Sequence, residues 1–357
     1  MGDIAKGAFS GAWALLVGWI LPTAVNLGVF LVAVWPTVRT TRLAAGTVPA
    51  GLPSTSLLLL TGAVVLGLVL FALRTPLYRL LEGYLLWPSW LTARRCAHHI
   101  HAKHLLKKRR SLILLANRDR DGEPLTEAET DRLAALRADP DLQRHRGADE
   151  RRGRVQRALL GEQLRRYPVD DRQITPTRLG NAIRRFEEYG HDRFRLDTQV
   201  LWDELTAVAP DPVRRQIEAA NTHVDFFIAL LYGHLLVAAT ALAALTAAAA
   251  RVAPLLVTAL VALLLTPVWY RCAVAATDGW ASSVRALVNT GRKPLADALG
   301  LALPTSVEDE RRMWTAVTRQ SLRPFGDRSD ALDAFRSSTD PASPDTSATG
   351  PEAAQSP

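Results

Sequence analysis

Charge is missing from four long stretches of this chain. No Asp, Glu, Lys or Arg lies between Lys6 and Arg39, Arg42 and Arg74, Asp225 and Arg251, or Arg251 and Arg271, gaps of 32, 31, 25 and 19 residues. About 20 apolar residues cross a bilayer core of ~30 Å. Runs such as SLLLLTGAVVLGLVLFAL and LLVAATALAALTAAAA also lack a polar stripe, so they do not read as surface helices of a soluble domain. These absences predict transmembrane helices near 12–35, 55–74, 224–249 and 252–271. Cysteine is scarce too. Cys96 and Cys272 both fall on the predicted cytoplasmic side, which argues against a structural disulfide. No GxxxxGK[ST], GxSxG, HExxH or spaced CxxC pair occurs. The chemistry those motifs carry is therefore not signalled; a non-enzymatic role is favoured, with a membrane-bound enzyme on lipid or nucleotide as an alternative. Strand patterns are few, and lysine is rare beside arginine. The latter suggests a GC-rich bacterial genome.

The first apolar run carries Trp13, Trp19 and Trp35, has Pro22 and Asn26 mid-run, and is followed by no clear small-x-small cleavage site. It reads as a retained helix rather than a cleaved signal peptide. Lys6, Arg74, Arg79, Arg214, Arg215, Arg271 and Arg285 cluster at one set of helix ends, against Arg39, Arg42 and Arg251 at the other. The positive-inside rule then places both termini and residues 75–223 in the cytoplasm. Only two short connections, near 36–54 and at Arg251, face outward. The expected location is a bacterial plasma membrane.

Most of the chain's net charge of +8 lies in 75–223. This segment is punctuated like a helical domain. Thr75-Pro76, Thr175-Pro176 and Asp211-Pro212 each put a capping residue before proline. Thr126 and Glu129 form a candidate capping box, and Gly190 a candidate end for the helix that starts at PTRLGN. Leu196, Val200, Leu201 and Leu205 share one stripe of LDTQVLWDELTAV. No breaker interrupts PVRRQIEAANTHVDFFIALL, so this helix should run unbroken from cytosol into membrane. The expected organisation is a first hairpin at 1–74, a cytoplasmic helical domain at 75–223, a second hairpin at 224–276, a helical tail at 277–326 and a disordered tail at 327–357.

Candidate sites follow from residue type and spacing. Cys96, His98, His101 and His104 are weak metal ligands, because His98 and His104 lie ~240° apart at helical spacing and no second ligand-bearing segment exists. No metal or other cofactor is expected. Arg94, Arg95, Lys103, Lys107, Lys108, Arg109 and Arg110 follow Tyr78, Tyr84, Trp87 and Trp90. A basic, aromatic-anchored segment just cytoplasmic of a membrane helix suits anionic lipid headgroups rather than nucleic acid. NRDRDGEPLTEAE places Asn117, Asp119, Asp121 and Gly122 at calcium-loop positions, but Ala128 stands where the bidentate glutamate belongs. Asn26 and His234 are intramembrane polar residues, suited to bonding between helices or to a small channel or transporter. Arg178, Asn181, Arg184, Arg185 and Glu188 share a candidate partner or ligand face on the 176–189 helix. Ala238, Ala239, Ala243 and Ala247 suit close helix packing, within the chain or in a homo-oligomer.

EGY at 82–84, PTRLGN at 176–181, YGHDRF at 189–194 with VLW at 200–202, and LGLALPTSVEDERRMW at 299–314 resemble a family of bacterial multi-pass integral-membrane proteins. The resemblance runs from the first helix to about residue 320. It implies two helical hairpins with a cytosolic insert, and no activity. The family's third motif ends RYGxD; here Arg195 stands at the glycine. The combined expectation is an all-α membrane protein whose four transmembrane helices form two hairpins around a cytoplasmic helical domain. It would act as a non-enzymatic interaction, scaffold or sensor protein, in contact with the lipid bilayer and with a protein partner or further copies of itself.

Overall fold

A computed structural model describes residues 11–39, 52–248, 250–323 and 330–336. Among these the chain is all-α apart from one isolated bridge, Leu301 to Arg336. Three helices are long and apolar enough to cross a membrane: α1 (Gly11–Val38), α10 (Asp211–Ala244) and α11 (Val252–Ala298). A fourth span is obtained if Leu59–Ala72, the end of α2 (Leu52–Ala72), is joined with α3 (Arg74–Glu82), which is bent from it by 59°. α3 carries Arg74, Arg79 and Glu82, so the apolar stretch proper stops at Ala72.

α1 contains two wider π-helical turns, Leu16–Ile20 and Phe30–Val34, each just before a proline, Pro22 or Pro36. Proline cannot donate to the carbonyl four residues back and its ring crowds that carbonyl; widening the turn relieves the clash without breaking the helix. α10 and α11 pack side by side through small residues. Ala241, Ala244, Leu255 and Ala259 are buried together with Val34 of α1. Ala239 and Ala243 remain exposed on the outer face of α10.

α11 spans 47 residues, ~70 Å at 1.5 Å per residue, roughly twice what a bilayer core needs. Its far half is the post around which the polar part of the molecule is built. Leu179, Ile183 and Phe186 of α7 (Arg178–Glu187), Leu205 of α9 (Trp202–Ala207) and Trp314 of α12 (Val307–Leu322) join Val284, Leu287 and Val288 of α11 in one core. Phe186 lies 4.7 Å from the Trp280 ring, and Arg292 pairs with buried Glu310 at 2.5–2.6 Å. A separate leucine cluster (Leu112, Leu115, Leu133, Leu136, Leu142) holds together α4 (Ser89–Arg120), α5 (Glu127–Ala138) and α6 (Pro140–Leu164).

The capping box at Thr126 and Glu129 forms as its spacing requires. Other local signals are displaced. Thr177, not Thr175, caps α7 by accepting from the Gly180 amide. Gly190 does not end that helix. It lies inside the short α8 (Tyr189–Phe194), where a Cβ would come within 2.6 Å of Thr198 and 2.7 Å of the Leu196 carbonyl, so it permits a close backbone approach. The left-handed cap after α8 is Arg195, at φ 63. Only Trp202–Ala207 of the LDTQVLWDELTAV stretch is helical, although Leu196, Leu201 and Leu205 are buried as expected. Part of the segment expected to be disordered from 327 is structured, while 324–329 lie outside the described residues. Residues Asp330–Phe335 form a 3-10 turn whose Leu332 is buried, and Ala302 donates to the Phe335 carbonyl at 2.7 Å. Residues 337–357 lie outside the described residues.

Gly233 packs directly on Asn26. A Cβ there would stand 2.2 Å from the Asn26 amide nitrogen. Gly233→Ala should lower the melting temperature in detergent, at an overpacking cost of about 1–3 kcal/mol. Asn26→Ala in the same chain should recover part of that loss, because the two changes share one contact. Arg195→Gly should raise the melting temperature slightly, since the left-handed conformation costs a non-glycine residue about 1–2 kcal/mol and glycine gives back part of this as unfolded-state entropy.

Candidate functional site

Each residue type in the opening of α4 meets a different fate. Lys103 is 2% exposed; its ammonium donates to the Val169 carbonyl at 2.8 Å and pairs with Asp171 at 2.5 Å. His104 reaches the other Asp171 oxygen at 2.7 Å. Lys108 pairs with Asp139 at 2.7 Å, and Arg109 holds buried Asp149 through both carboxylate oxygens at 2.7 and 2.9 Å. These cations tie α4 to α6 and to the Asp171–Gln173 turn. Arg94, Arg95, Lys107 and Arg110 stay exposed, as do His98 and His101. Just before them the α3–α4 connection is an apolar tip: Tyr84, Leu85, Leu86 and Trp90 are all exposed, Leu86 at 82% and in a positive-φ conformation.

No group of three or more His, Cys, Asp or Glu side chains converges on a point among the described residues. Cys96 instead donates weakly to the Ile174 carbonyl at 3.3 Å. In the calcium-like stretch, Asn117–Arg120 are still helical, and Asp119 and Asp121 pair with Arg137 and Arg154.

On α7 the candidate face divides. Asn181 is buried and serves as a clamp: its amide donates to the Thr175 and Thr177 carbonyls and its oxygen accepts from the Thr175 amide. Arg184 pairs with Glu188 at 2.7 Å and Arg185 with Asp192 at 3.2 Å. Arg178 is exposed and lines a cavity described below. Within the apolar spans, Asn26 donates to the Pro22 carbonyl at 2.8 Å, while His234 Nδ1 lies 2.9 Å from the Leu230 carbonyl. Each polar group is thus met by a carbonyl of its own helix.

Three cavities in the polar part differ in charge. One of about 1150 Å³, beside Arg195, α12 and the Asp330–Phe335 turn, sets Glu308 and Asp309 among Arg195, Arg311, Arg312, Arg319 and Arg323. One of about 870 Å³ sets Glu82 and Glu187 among Arg74, Arg79, Arg172 and Arg184. Burial raises the Glu187 carboxyl, opposed by the Arg184 guanidinium and reinforced by Glu188. The third, about 660 Å³, lies between α4, the end of α6, the start of α7 and α11. Its wall carries Arg95, His98, His99, Arg166, Arg178 and Arg271, and no carboxylate. Only Arg166 has a partner of opposite sign, Asp278, at 2.5 and 2.9 Å. His99 is 2% exposed; its Nδ1 is 3.2 Å from the Tyr167 hydroxyl and its Nε2 has no partner of hydrogen-bonding geometry.

The sequence singled out three of these wall residues for other roles and missed His99, Arg166 and Arg271 as a set. No local pattern could have found them, because four separate elements supply the wall. Arg271 alone carries a signal, as the charge that ends the last apolar gap.

Burial, with the charges of Arg95, His98 and Arg178, lowers the His99 pKa to about 4, a nearby Pro176 carbonyl partly offsetting this. An unfolded imidazole titrates near ~6.5. Between those values the unfolded chain binds the extra proton, so His99 withdraws stability as pH falls from 6.5 toward 4. The melting temperature of the wild type should therefore drop over that interval, and that of His99→Gln should drop less. Equal drops would remove His99 as the cause.

No family model, curated protein or solved structure matches this chain. What the structure supports of the family resemblance is the set of several long apolar helices of a multi-pass membrane protein.

Proposed function

We propose that this chain is a multi-pass protein of a bacterial plasma membrane that works, without catalysis, through a helical domain docked on the cytoplasmic leaflet. In this reading the spans form two hairpins, both termini are cytoplasmic, and residues 75–223 form the insert between the hairpins. The observation that carries it is the α3–α4 tip. Four exposed apolar or aromatic side chains, Tyr84, Leu85, Leu86 and Trp90, precede the exposed guanidinium groups of Arg94 and Arg95. A water-facing surface gains nothing from such a tip, whereas an interface takes apolar side chains below the headgroups and arginine beside the phosphates. The bend of 59° after Ala72 turns the chain out of the span immediately before it. The lipid-facing set then narrows to Arg94, Arg95, Lys107 and Arg110, with Lys103, Lys108 and Arg109 retained as ties within the domain. The exposed Ala239 and Ala243 of α10, one helical turn apart, suit a second copy or a protein partner in the membrane.

The test is a spin label at Leu86→Cys in a chain with Cys96→Ser and Cys272→Ser, reconstituted in nanodiscs containing anionic lipid. Collisions with dissolved oxygen should exceed those with a water-soluble nickel chelate, and Arg94→Glu with Arg95→Glu should reverse that order. A label reached mainly by nickel in the parent chain would end the proposal.

A further inference from the structure

The cavity between α4, α6, α7 and α11 gathers exposed guanidinium groups from three separate elements, Arg95, Arg178 and Arg271, around one recess. Elsewhere in the polar part, buried or half-buried cations are matched: Lys103 by Asp171, Arg109 by Asp149, Arg118 by Glu123 and Glu129, Arg292 by Glu310. Here Arg95, Arg178 and Arg271 face one concavity with His98 and His99 and meet no carboxylate on its wall. Like charges gathered in a recess repel one another, and the recess concentrates their field. An anion in the recess would relieve that repulsion.

The shape of the wall narrows the class of anion. Guanidinium groups from three separate elements suit an oxyanion with several acceptor oxygens, which planar forks can grip from different sides. The remaining wall is apolar: Leu105 and Leu106 of α4, with Pro267 and Val274 of α11. Pro267 belongs to the last apolar gap and Arg271 ends it. The cavity therefore straddles the level at which a bilayer's phosphates lie. His99 adds a fixed element, since it is held against the Tyr167 hydroxyl while its Nε2 remains unpartnered.

We propose that this cavity is a binding site for a phosphate-bearing anion, with Arg95, Arg178 and Arg271 as its direct ligands. The site is independent of the surface reading above except for Arg95, so the test leaves Arg94, Lys107 and Arg110 untouched in the variants that probe it. The phosphate can come from a lipid headgroup, whose chains would lie along Pro267 and Val274, or from a soluble compound.

The full chain, purified in a neutral detergent, is melted with short-chain phosphatidic acid, with short-chain phosphatidylcholine and with inorganic pyrophosphate, and each affinity is measured by titration. Phosphatidic acid should raise the melting temperature and bind at least ~10-fold tighter than phosphatidylcholine. Arg178→Gln with Arg271→Gln should weaken that binding at least ~10-fold, and Arg132→Ala with Arg144→Ala, exposed on α5 and α6 away from both sites, should leave it unchanged. Phosphatidic acid acting without pyrophosphate assigns the lipid source; pyrophosphate acting as strongly assigns the soluble one. Ala102→Glu, which sets a carboxylate in the cavity wall, should raise the melting temperature of the ligand-free chain and abolish binding, an opposite pair of effects that simple misfolding cannot give. The proposal is overturned if neither phosphate compound shifts the melting temperature, or if the Arg178 and Arg271 variant and Ala102→Glu bind as the parent does.

Discussion

One ion pair fixes the level of everything else. Arg74 is the first charge after the second uncharged gap, and Asp225 the last before the third. The fold brings them together: Arg74 Nε lies 3.2 Å from Asp225, the Tyr78 hydroxyl donates to the same carboxylate at 2.7 Å, and Arg74 also donates to Asn221 at 2.8 Å. Asp225 is buried, so its charge is tolerable only with these partners in place. Two helices that could slide past each other in an apolar medium, where apolar packing sets depth only loosely, are locked in register by one buried carboxylate. The Tyr232 hydroxyl reinforces this by donating to the Leu77 carbonyl at 2.9 Å. α3 and α10 are therefore joined at the edge of the apolar zone, and the position of the polar part follows from it.

From that joint the structure extends along α11. The motifs that gave the chain its family resemblance turn out to be places where backbones meet. Gly83 of EGY and Pro176 of PTRLGN touch, so that a Cβ on Gly83 would fall 2.2 Å from the proline ring, and Gly180 sits against the Glu82 carbonyl at 2.5 Å by the same measure. Glu310 of VEDERRMW takes Arg292 and the Trp314 indole, while Arg292 lies 4.1 Å over the Phe194 ring of YGHDRF. Far-separated segments are held by glycine contacts and one buried charge cluster. In this fold these motifs hold distant segments together.

The apolar spans were legible because charge cannot be hidden in lipid: the gaps in the sequence fall on α1, α2, the second half of α10 and the first part of α11. The capping box was legible because it is local. What sequence could not supply depends on distant partners. Lys103, Lys108 and Arg109 look like a lipid-facing run until Asp171, Asp139 and Asp149 come back to meet them. Asn181 looks like part of a polar face until its amide is found spent on Thr175 and Thr177. α11 was cut short at 271 because charge returns there, yet helical hydrogen bonding continues to Ala298 and the outer half finds its own core. The cationic cavity is the extreme case, since four elements supply its wall.

The Arg74–Asp225 joint also sets a schedule for biosynthesis. Tyr78 and Asp225 are separated by 147 residues. A ribosome adding about 5–20 residues per second needs roughly 7–30 s to cover that distance. Throughout that time Arg74 and Tyr78 lack the Asp225 carboxylate that they meet in the finished fold, and α2 is held only by its packing on α1, as at Gly67 against Ile20. The nascent chain thus passes through an interval in which its early helices depend on the insertion machinery or on snorkelling to lipid phosphate for a counter-charge. A chain truncated before Asp225 would be left in that condition permanently, as a marked substrate for membrane quality control.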